Sequence, residues 1–294
     1  MIVIACIVLA ACLLVYIHFR KEKPENTAYI NARGELSVHF IDVGQGDCTL
    51  IISDGQTMLI DCGENEVSGE VKAYLRNTGV EKLDYIIATH PHSDHMGGMY
   101  DIIGSFGVGE VIIPHLPDED IPDTLFFERF LDSCADNEAD LFEAQVGRVI
   151  TLGGAQAEIV APCSGKYDDL NDYSVSILLS FGSVSFLLTG DAEETSELEM
   201  LDSGRLPHVT VYKAGHHGSR YSSTQEFLDV ITPEYAVISC GAENPYGHPN
   251  DDTVERLLRY TERIYRTDID GTVVFTSDGE NISVNTERSG HDNY

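Results

Sequence analysis

The alternation of apolar and polar residues predicts a domain that opens with short β-strands. Three β-rich runs, at about 36–43, 47–53 and 57–61, are separated by turns rich in Gly and Asp. A short buried strand, DYIIAT, is predicted at Asp84–Thr89. Later strands are predicted at 111–113, 149–152, 156–161, 174–181, 184–189, 209–213 and 235–239, with a β-rich stretch near the C-terminus.

Segments in which apolar residues recur at helical spacing lie between many of these strands. Val71, Tyr74 and Leu75 recur at this spacing before Gly79, which predicts a helix at 67–78. Further helices are predicted at 97–106, 122–136, 193–203, 223–231 and 251–262. Strands come first and helices follow in two comparable halves, so the pattern predicts an α/β fold with two layered sheets and helices outside them.

The first nineteen residues form a separate apolar segment. MIVIACIVLAACLLVYIHF contains no Asp, Glu, Lys or Arg, and a run of this length can cross a bilayer as one helix. We therefore predict a transmembrane anchor or signal-anchor at residues 1–19. A cleaved signal peptide is disfavoured because no basic region precedes the run. A lipoprotein signal ending at Cys12 is disfavoured because the run continues to Phe19.

The rest of the chain divides into three parts. Residues 20–34 are predicted to be a charged tether, residues 35–288 the globular domain and residues 289–294 a frayed tail. By the positive-inside rule, the basic cluster RKEK after the apolar run would place the domain in the cytoplasm.

Charge and cysteine content limit the classes of partner. With 49 acidic and 18 basic residues, the chain has a formal charge of −31. Such a charge repels DNA and anionic lipid and leaves no broad basic surface, so tight binding of duplex DNA is not expected. The seven cysteines include no CxxC pair, and a disulfide framework is therefore not expected either.

One loop carries most of the candidate chemistry. The motif HPHSDH places His90, His92, Asp94 and His95 directly after a predicted buried strand. His90 and His92 point the same way in an extended backbone, so they can bind one metal ion together. Asp94 and His95 lie where a helix begins and face another side, so they can form a second half-site. A polar turn of hydrogen-bonded histidines is the alternative, but this density of ligands is typical of a metal site.

Later positions can complete such a centre. Asp191 ends an apolar strand in FLLTGDAEE, where it could bridge two cations or cap the following helix. Either His216 or His217 of KAGHHGS is a candidate ligand, the alternative being a surface histidine. Asp61 of LIDCG, at a strand end, would orient a ligand. His248 of NPYGHP is a candidate proton donor or substrate contact, unless it only rigidifies the turn.

Taken in order, the motifs HFIDVGQGD, LIDCG, HxHxDHxGG, TGD, HHGS and YGHP resemble the metallo-β-lactamase fold. They are more closely similar to the hydrolase-like domain of the ComEC-type competence proteins, which take up DNA. The resemblance covers about 36–285 and implies an αββα sandwich with a dinuclear metal site. It also favours an extracytoplasmic domain, against the basic cluster.

The resemblance implies a ligand set. Its members are His90 and His92 at the first metal, Asp94 and His95 at the second, Asp191 as the bridge and His216 as the late histidine, with His217 as the alternative. Many members of the wider fold add a third histidine to the first metal. The corresponding interval here, YDDLNDYSVSILL, contains none, so Asn171, Asp172 or water would complete that site. This gap supports the ComEC-type branch, weakens a classical β-lactamase assignment and makes manganese a rival to zinc.

Two adjacent cations are suited to hydrolysis, because they lower the pKa of water and stabilise charge on the attacked centre and the leaving group. The sequence therefore predicts a membrane-anchored, metal-dependent hydrolase in which Asp94, as a ligand, and His248, as a proton donor, are catalytic. Phosphodiesters, in nucleic acid or in a smaller phosphoester, are the leading substrates. Carbon esters, lactones or lactams are the alternative within the fold, and a non-catalytic, metal-stabilised binding module is the third hypothesis.

Overall fold

Two β-sheets lie at the centre of the computed structural model, which describes residues 34–288. The strands are β1 (Leu36–Phe40), β2 (Thr49–Ser53), β3 (Gln56–Ile60), β4 (Lys82–Ile87), β5 (Gly107–Ile113), β6 (Asp140–Glu143), β7 (Val149–Leu152), β8 (Ala155–Ala161), β9 (Ser176–Phe181), β10 (Val184–Leu188), β11 (Val211–Lys213), β12 (Tyr235–Ile238), β13 (Ile264–Arg266), β14 (Val273–Ser277) and β15 (Ile282–Thr286). One sheet has eight strands in the order β15-β14-β1-β2-β3-β4-β5-β6. The other has seven, in the order β13-β12-β11-β10-β9-β8-β7.

Helices connect the strands. They are α1 (Ser68–Asn77), α2 (Ser93–Met96), α3 (Met99–Ile103), α4 (Leu125–Asp136), α5 (Glu194–Asp202), α6 (Gln225–Ile231), α7 (Asp251–Leu257) and α8 (Thr267–Asp270). Single 3-10 turns cover Asn65–Val67, Asp118–Asp120, Leu170–Tyr173 and Gly215–Gly218.

Three buried clusters define four layers. Phe40, Phe186 and Phe275 meet edge to face between the two sheets. The other face of the eight-stranded sheet, which includes Leu59, packs against α1, α3 and α4. The other face of the seven-stranded sheet, which includes Tyr212, packs against α5, α6 and α7. The order helix–sheet–sheet–helix is the sandwich that the sequence predicts.

Most predicted elements are present, and the differences have local causes. The sequence does not predict β6, because this edge strand is exposed at all four positions and shows no alternation. It also misses the short β13 and α8. The helix predicted at 97–106 is the shorter α3 (Met99–Ile103), which begins after Gly98, whose N–H donates to the carbonyl of Gly63. The separate helix α2 (Ser93–Met96) precedes the predicted range. The helix predicted at 122–136 begins at Leu125, and the one predicted at 251–262 ends at Leu257.

Some predictions fall on parts of the chain that the structure does not describe. The anchor at 1–19, nearly all of the tether at 20–34 and the tail at 289–294 lie outside residues 34–288. Within the described range, no helix combines the length and apolar character needed to cross a bilayer.

Parallel pairing brings the candidate loops to one edge of the sandwich. The strands β3 and β4 are parallel in one sheet, and β10, β11 and β12 are parallel in the other. Their carboxyl ends therefore share an edge, where the loops with the motif residues follow. The β1–β2 loop also reaches this edge. A Cβ at Gly46 (φ +136°) would lie 2.3 Å from the carbonyl oxygen of Asp94, so this close approach requires glycine.

Candidate metal centre

The loop after β4 brings the first pair of predicted ligands together. Nε2 of the buried His90 lies 2.9 Å from Nδ1 of the partly buried His92. On its other side, Nδ1 of His90 faces the hydroxyl groups of Thr89 and Ser174 at 3.1 and 3.3 Å. Nε2 of His90 also lies 4.0 Å from Oδ2 of Asp191. Both histidines therefore direct a nitrogen toward the same space.

Asp191, just after β10, occupies the middle of the site. Its Oδ2 lies 3.2 Å from Nε2 of His95 and 3.3 Å from Nε2 of His217. Its Oδ1 is buried and has no hydrogen-bond partner among the described residues. Its backbone N–H donates to the Ser174 hydroxyl at 3.0 Å. One carboxylate between histidines of two different sheets has the position of a bridging ligand.

His217 is held so that one ring nitrogen stays available. Its Nδ1 lies 2.9 Å from the carbonyl oxygen of Ser239, which can only accept, so Nδ1 carries the hydrogen. Nε2 lies 3.2 Å from Oδ2 of Asp94 and 3.3 Å from Oδ2 of Asp191. A buried imidazole with its second nitrogen facing two carboxylates has the arrangement of a metal ligand.

His216 faces a different partner from its neighbour. Its Nδ1 lies 2.8 Å from Oε1 of Glu193, and its Nε2 lies 3.8 Å from Oδ2 of Asp191. Both histidines have positive φ, 48° and 55°, and their ring planes differ by 69°. A group of potential ligand atoms within 4.8 Å of one another includes His217 and two residues of the HPHSDH loop, but not His216. The geometry therefore favours His217 over the predicted His216.

Asp61 holds the ring of His95. Its carboxylate accepts hydrogen bonds from the backbone N–H and the hydroxyl of Thr89, at 2.9 and 2.7 Å. The same buried carboxylate lies 2.7 Å from Nδ1 of His95. With Nδ1 donating to Asp61, Nε2 of His95 is turned toward Asp191. Asp61 thus lies where the sequence predicts a carboxylate that orients a ligand.

The sequence prediction missed a buried ion pair beside these rings. Nζ of Lys213, at the end of β11, lies 2.5 Å from Oδ2 of Asp47. The other oxygen of Asp47 lies 3.4 Å from Nδ1 of His217. Two signals could have revealed the pair: the aspartate that follows two glycines in GQGD, and a single lysine that ends the apolar run VTVYK.

The electrostatics of the site favour bound cations. Burial alone would lower the pKa of both His95 and His217, but the surrounding carboxylates, Asp191 foremost, together outweigh burial and raise both pKa values well above the usual range. Burial would likewise raise the pKa of Asp191, yet the two rings hold it well below its usual range. The carboxylates that meet here are those of Asp47, Asp61, Asp94 and Asp191. They stabilise positive charge at the two Nε2 positions, so the donor set fits divalent metal ions.

The residues that could replace a third histidine differ in availability. Oδ1 of Asp172 accepts hydrogen bonds from the backbone N–H groups of Glu193 and Ser196, at 3.0 and 3.2 Å. Asp172 therefore caps α5, the role considered for Asp191, and its carboxylate is engaged. Oδ1 of Asn171 is buried and has no hydrogen-bond partner among the described residues. Of the two, only Asn171 therefore keeps a side-chain oxygen available to a metal ion.

A cleft of about 300 Å³ opens over these residues. It is lined by Gln45, His92, Ser93, Asp94, Asp191, His216, His217, Tyr246 and His248. Burial, with the neighbouring His216 and His217, lowers the pKa of His248 to about 4, so this ring is neutral at neutral pH. Nδ1 of His248 is buried without a hydrogen-bond partner in the described part of the chain. These features fit a substrate contact better than the predicted proton donor.

Known proteins are similar to this chain in sequence and in fold. Residues 41–242 match the family model described as the metallo-beta-lactamase superfamily. ComE operon protein 3 of Bacillus subtilis is 28% identical over 264 residues, which cover 84% of this chain and 33% of that protein. The chain therefore spans about a third of the length of this relative. The resemblance to ComEC-type competence proteins is confirmed.

Two further similarities cover a shorter segment or the fold alone. Ribonuclease Z of Clostridium beijerinckii is 39% identical over 59 residues, which cover 20% of this chain and 18% of that protein. CmlA, a diiron beta-hydroxylase from Streptomyces venezuelae, superposes with a TM-score of 0.52 at 16% identity. The superposition covers 81% of this chain and 53% of that chain, and it shows similarity of fold only.

Proposed function

Because the chain belongs to the metallo-beta-lactamase superfamily, whose members are generally metal-dependent hydrolases, we propose that its cleft binds two divalent metal ions and hydrolyses phosphodiesters. The position of Asp191 carries this proposal, since one of its oxygens lies between Nε2 of His95 and Nε2 of His217. The segment similar to ribonuclease Z, whose name denotes cleavage of RNA, supports phosphodiesters as the substrate class.

The proposed ligands divide into two sets that share Asp191. They are His90, His92 and Asn171 or water at the first ion, Asp94, His95 and His217 at the second, and Asp191 between the two. When bound, two such ions lower the pKa of water and stabilise negative charge on the phosphate and the leaving group. Imidazole suits zinc and carboxylate or amide oxygen suits manganese, so both metals fit this mixed donor set.

The remaining residues position these ligands and the substrate. Asp61 keeps Nε2 of His95 turned toward the centre. Asp47, neutralised by Lys213, lies against Nδ1 of His217 and helps to fix that ring. His248 offers an unpartnered ring nitrogen in the cleft, where a substrate oxygen can meet it. The chain thus orients its ligands through a second layer of polar contacts.

Metal content and substrate preference test the proposal together. The purified full-length protein should contain about two divalent ions per chain. It should hydrolyse bis(p-nitrophenyl) phosphate faster than a lactone, p-nitrophenyl acetate or a chromogenic β-lactam. Asp191→Asn, which keeps the size of the side chain, should weaken both metal sites.

Each other outcome identifies a different alternative. Protein that takes up no transition metal after reconstitution would refute the dinuclear site. Lactone turnover faster than that of every phosphodiester would establish the carbon-ester alternative. Two bound ions without hydrolysis of any of these substrates would support a metal-stabilised binding module.

We also propose that residues 1–19 anchor the protein in a membrane, with the domain on the extracytoplasmic side. The length of this run and its lack of Asp, Glu, Lys and Arg support the anchor. The full-length chain should sediment with membranes, and protease added to whole cells should cleave the domain. Recovery of the intact chain in the soluble fraction would refute the anchor, and protection from protease would reverse the orientation.

A further inference from the structure

Resting on the proposed phosphodiesterase function, we infer that the cleft holds a subsite for a nucleobase. Tyr246 forms the stacking surface of this subsite, and the side-chain amide of Gln45 donates to the phosphate beside it. The substrate class is then a nucleotide or an unpaired base at the end of single-stranded nucleic acid. Two independent features support this inference.

The first feature is a stack of three rings that runs from the metal centre to the cleft mouth. The ring centroids of His217 and His248 are 6.3 Å apart and their planes differ by 29°. Those of His248 and Tyr246 are 5.8 Å apart and their planes differ by 25°. Tyr246 lines the cleft and is 66% exposed, so its inner face rests on His248 while much of the ring is open. Such a ring is a stacking surface that any base can use.

The second feature is an unsatisfied donor in the same cleft. Oε1 of Gln45 accepts a hydrogen bond from the backbone N–H of Gly241 at 3.1 Å, which fixes the orientation of the amide. Nε2 of Gln45 is buried and has no hydrogen-bond partner among the described residues. A buried donor without an acceptor is destabilising, and a phosphate oxygen of the substrate would satisfy it.

The size of the cleft and the net charge of the chain favour a single nucleotide over duplex DNA. A cleft of about 300 Å³ lies at the lower end of the range for small-molecule sites. It suits one nucleotide unit rather than a double helix. The formal charge of −31 also repels a duplex at long range.

Two substrates with the same leaving group isolate the subsite. These are thymidine 5′-(p-nitrophenyl) phosphate and methyl p-nitrophenyl phosphate, assayed with the full-length, metal-loaded protein. The selectivity is the ratio of kcat/KM for the thymidine ester to kcat/KM for the methyl ester. Because the leaving group is shared, the selectivity reports contacts made by the nucleoside.

Tyr246→Leu should lower the selectivity on the order of 10-fold, as expected for loss of one stacked base. Tyr246→Phe, which retains the ring, should preserve it. Tyr221→Leu is the matched control, because Tyr221 is 63% exposed but does not line the cleft. Gln45→Met should lower kcat/KM for both esters by a similar factor, since both carry the phosphate. Metal content measured for each variant separates these effects from loss of ions.

The outcomes separate this inference from the proposed function. If the unmodified protein cleaves neither ester, the phosphodiesterase proposal fails. If it cleaves both and Tyr246→Leu leaves the selectivity unchanged, the nucleobase subsite is refuted and the phosphodiesterase proposal stands. An equal loss of kcat/KM with both esters is one form of this result, because Tyr246 would then act on a part that the two substrates share. Unchanged kcat/KM for both esters in Gln45→Met would refute the proposed contact between Gln45 and the phosphate.

Discussion

Two buried histidine environments in this protein differ in how their ring nitrogens are satisfied. His39, in β1, is fully buried. Its Nδ1 lies 2.8 Å from the Tyr74 hydroxyl and its Nε2 lies 2.8 Å from the Ser37 hydroxyl. Burial lowers the pKa of His39 to about 3, so the ring is neutral. With hydroxyl partners at both nitrogens, the ring has the features of a structural histidine.

The rings of His95 and His217 are as deeply buried but satisfied on one side only. Each has a protein acceptor at Nδ1, while Nε2 lacks a hydrogen-bond partner of good geometry among the described residues. Both Nε2 atoms face Asp191. Burial alone therefore does not separate a core histidine from a ligand. The distinguishing feature is a buried second nitrogen directed at carboxylates.

The largest effect is expected when a carboxylate is removed from the candidate metal centre. Asp94→Ala should lower kcat for bis(p-nitrophenyl) phosphate by roughly 10³-fold, the upper end for a single electrostatic group. The reason is that Asp94 lies 3.2 Å from Nε2 of His217, in the proposed second metal site. Steady-state kinetics with metal analysis measure the effect. Full activity in this variant would refute the proposed role of Asp94 as a ligand in the catalytic centre.

The next test separates the two adjacent histidines. His217→Ala should remove about one of the two ions per chain and most of the activity, because its Nε2 faces two carboxylates. The matched variant His216→Ala should retain both ions, because Nδ1 of His216 contacts Glu193. Elemental analysis of the two variants gives the answer. The reverse result would restore His216 as the ligand.

A smaller effect is expected from the buried lysine. Lys213→Met should weaken metal affinity about 10- to 100-fold, the range for residues that orient ligands. Without the ammonium group, Asp47 would lose the partner that holds it beside His217. Competition with a chelator measures the affinity. Lys82→Met is the control, since Lys82 pairs with Asp84 at the surface. An equal effect of the two variants would refute a positioning role for Lys213.

The smallest effect on activity is expected from a change of the structural histidine, His39. His39→Gln should leave kcat and metal content unchanged but alter the pH dependence of stability. The folded-state pKa of His39 lies below its unfolded value. The unfolded chain therefore binds the extra proton, and stability falls as the pH drops from about 6.5 toward 3.

Equilibrium unfolding as a function of pH checks this prediction. The contribution of His39 has a slope of at most about 1.4 kcal/mol per pH unit, and it should be absent in His39→Gln. Identical pH profiles for the two proteins would show that the ring does not stay neutral in the fold. Loss of metal in His39→Gln would show that His39 also supports the metal centre and is not only structural.

The parts of the site that the sequence predicts are those whose signal is local. His90, His92, Asp94 and His95 are recognisable because six consecutive residues contain them all. The αββα sandwich follows from strand and helix periodicity together with the family motifs. Local patterns of this kind can be recognised without knowledge of tertiary contacts.

The parts that escaped prediction depend on contacts between distant segments or on backbone conformation. Asp47 and Lys213 come from different sheets and meet only in the folded chain. The choice between His216 and His217 depends on two positive φ values that no residue pattern signals. The sequence offers Asp172 as a possible ligand, whereas in the fold its carboxylate accepts hydrogen bonds at the start of α5.

The proposed ligands come from both sheets, and this has a consequence for how the protein lasts in a cell. His90 and His95 follow a strand of the eight-stranded sheet, whereas Asp191 and His217 follow strands of the seven-stranded sheet. Ions held between them would fasten the two halves of the sandwich together. An ion at a hundredfold excess over its Kd would add about 2.7 kcal/mol to the free energy of unfolding. A shortage of metal would then shorten the lifetime of the folded protein as well as abolish its activity. The abundance of the protein would therefore follow the metal supply.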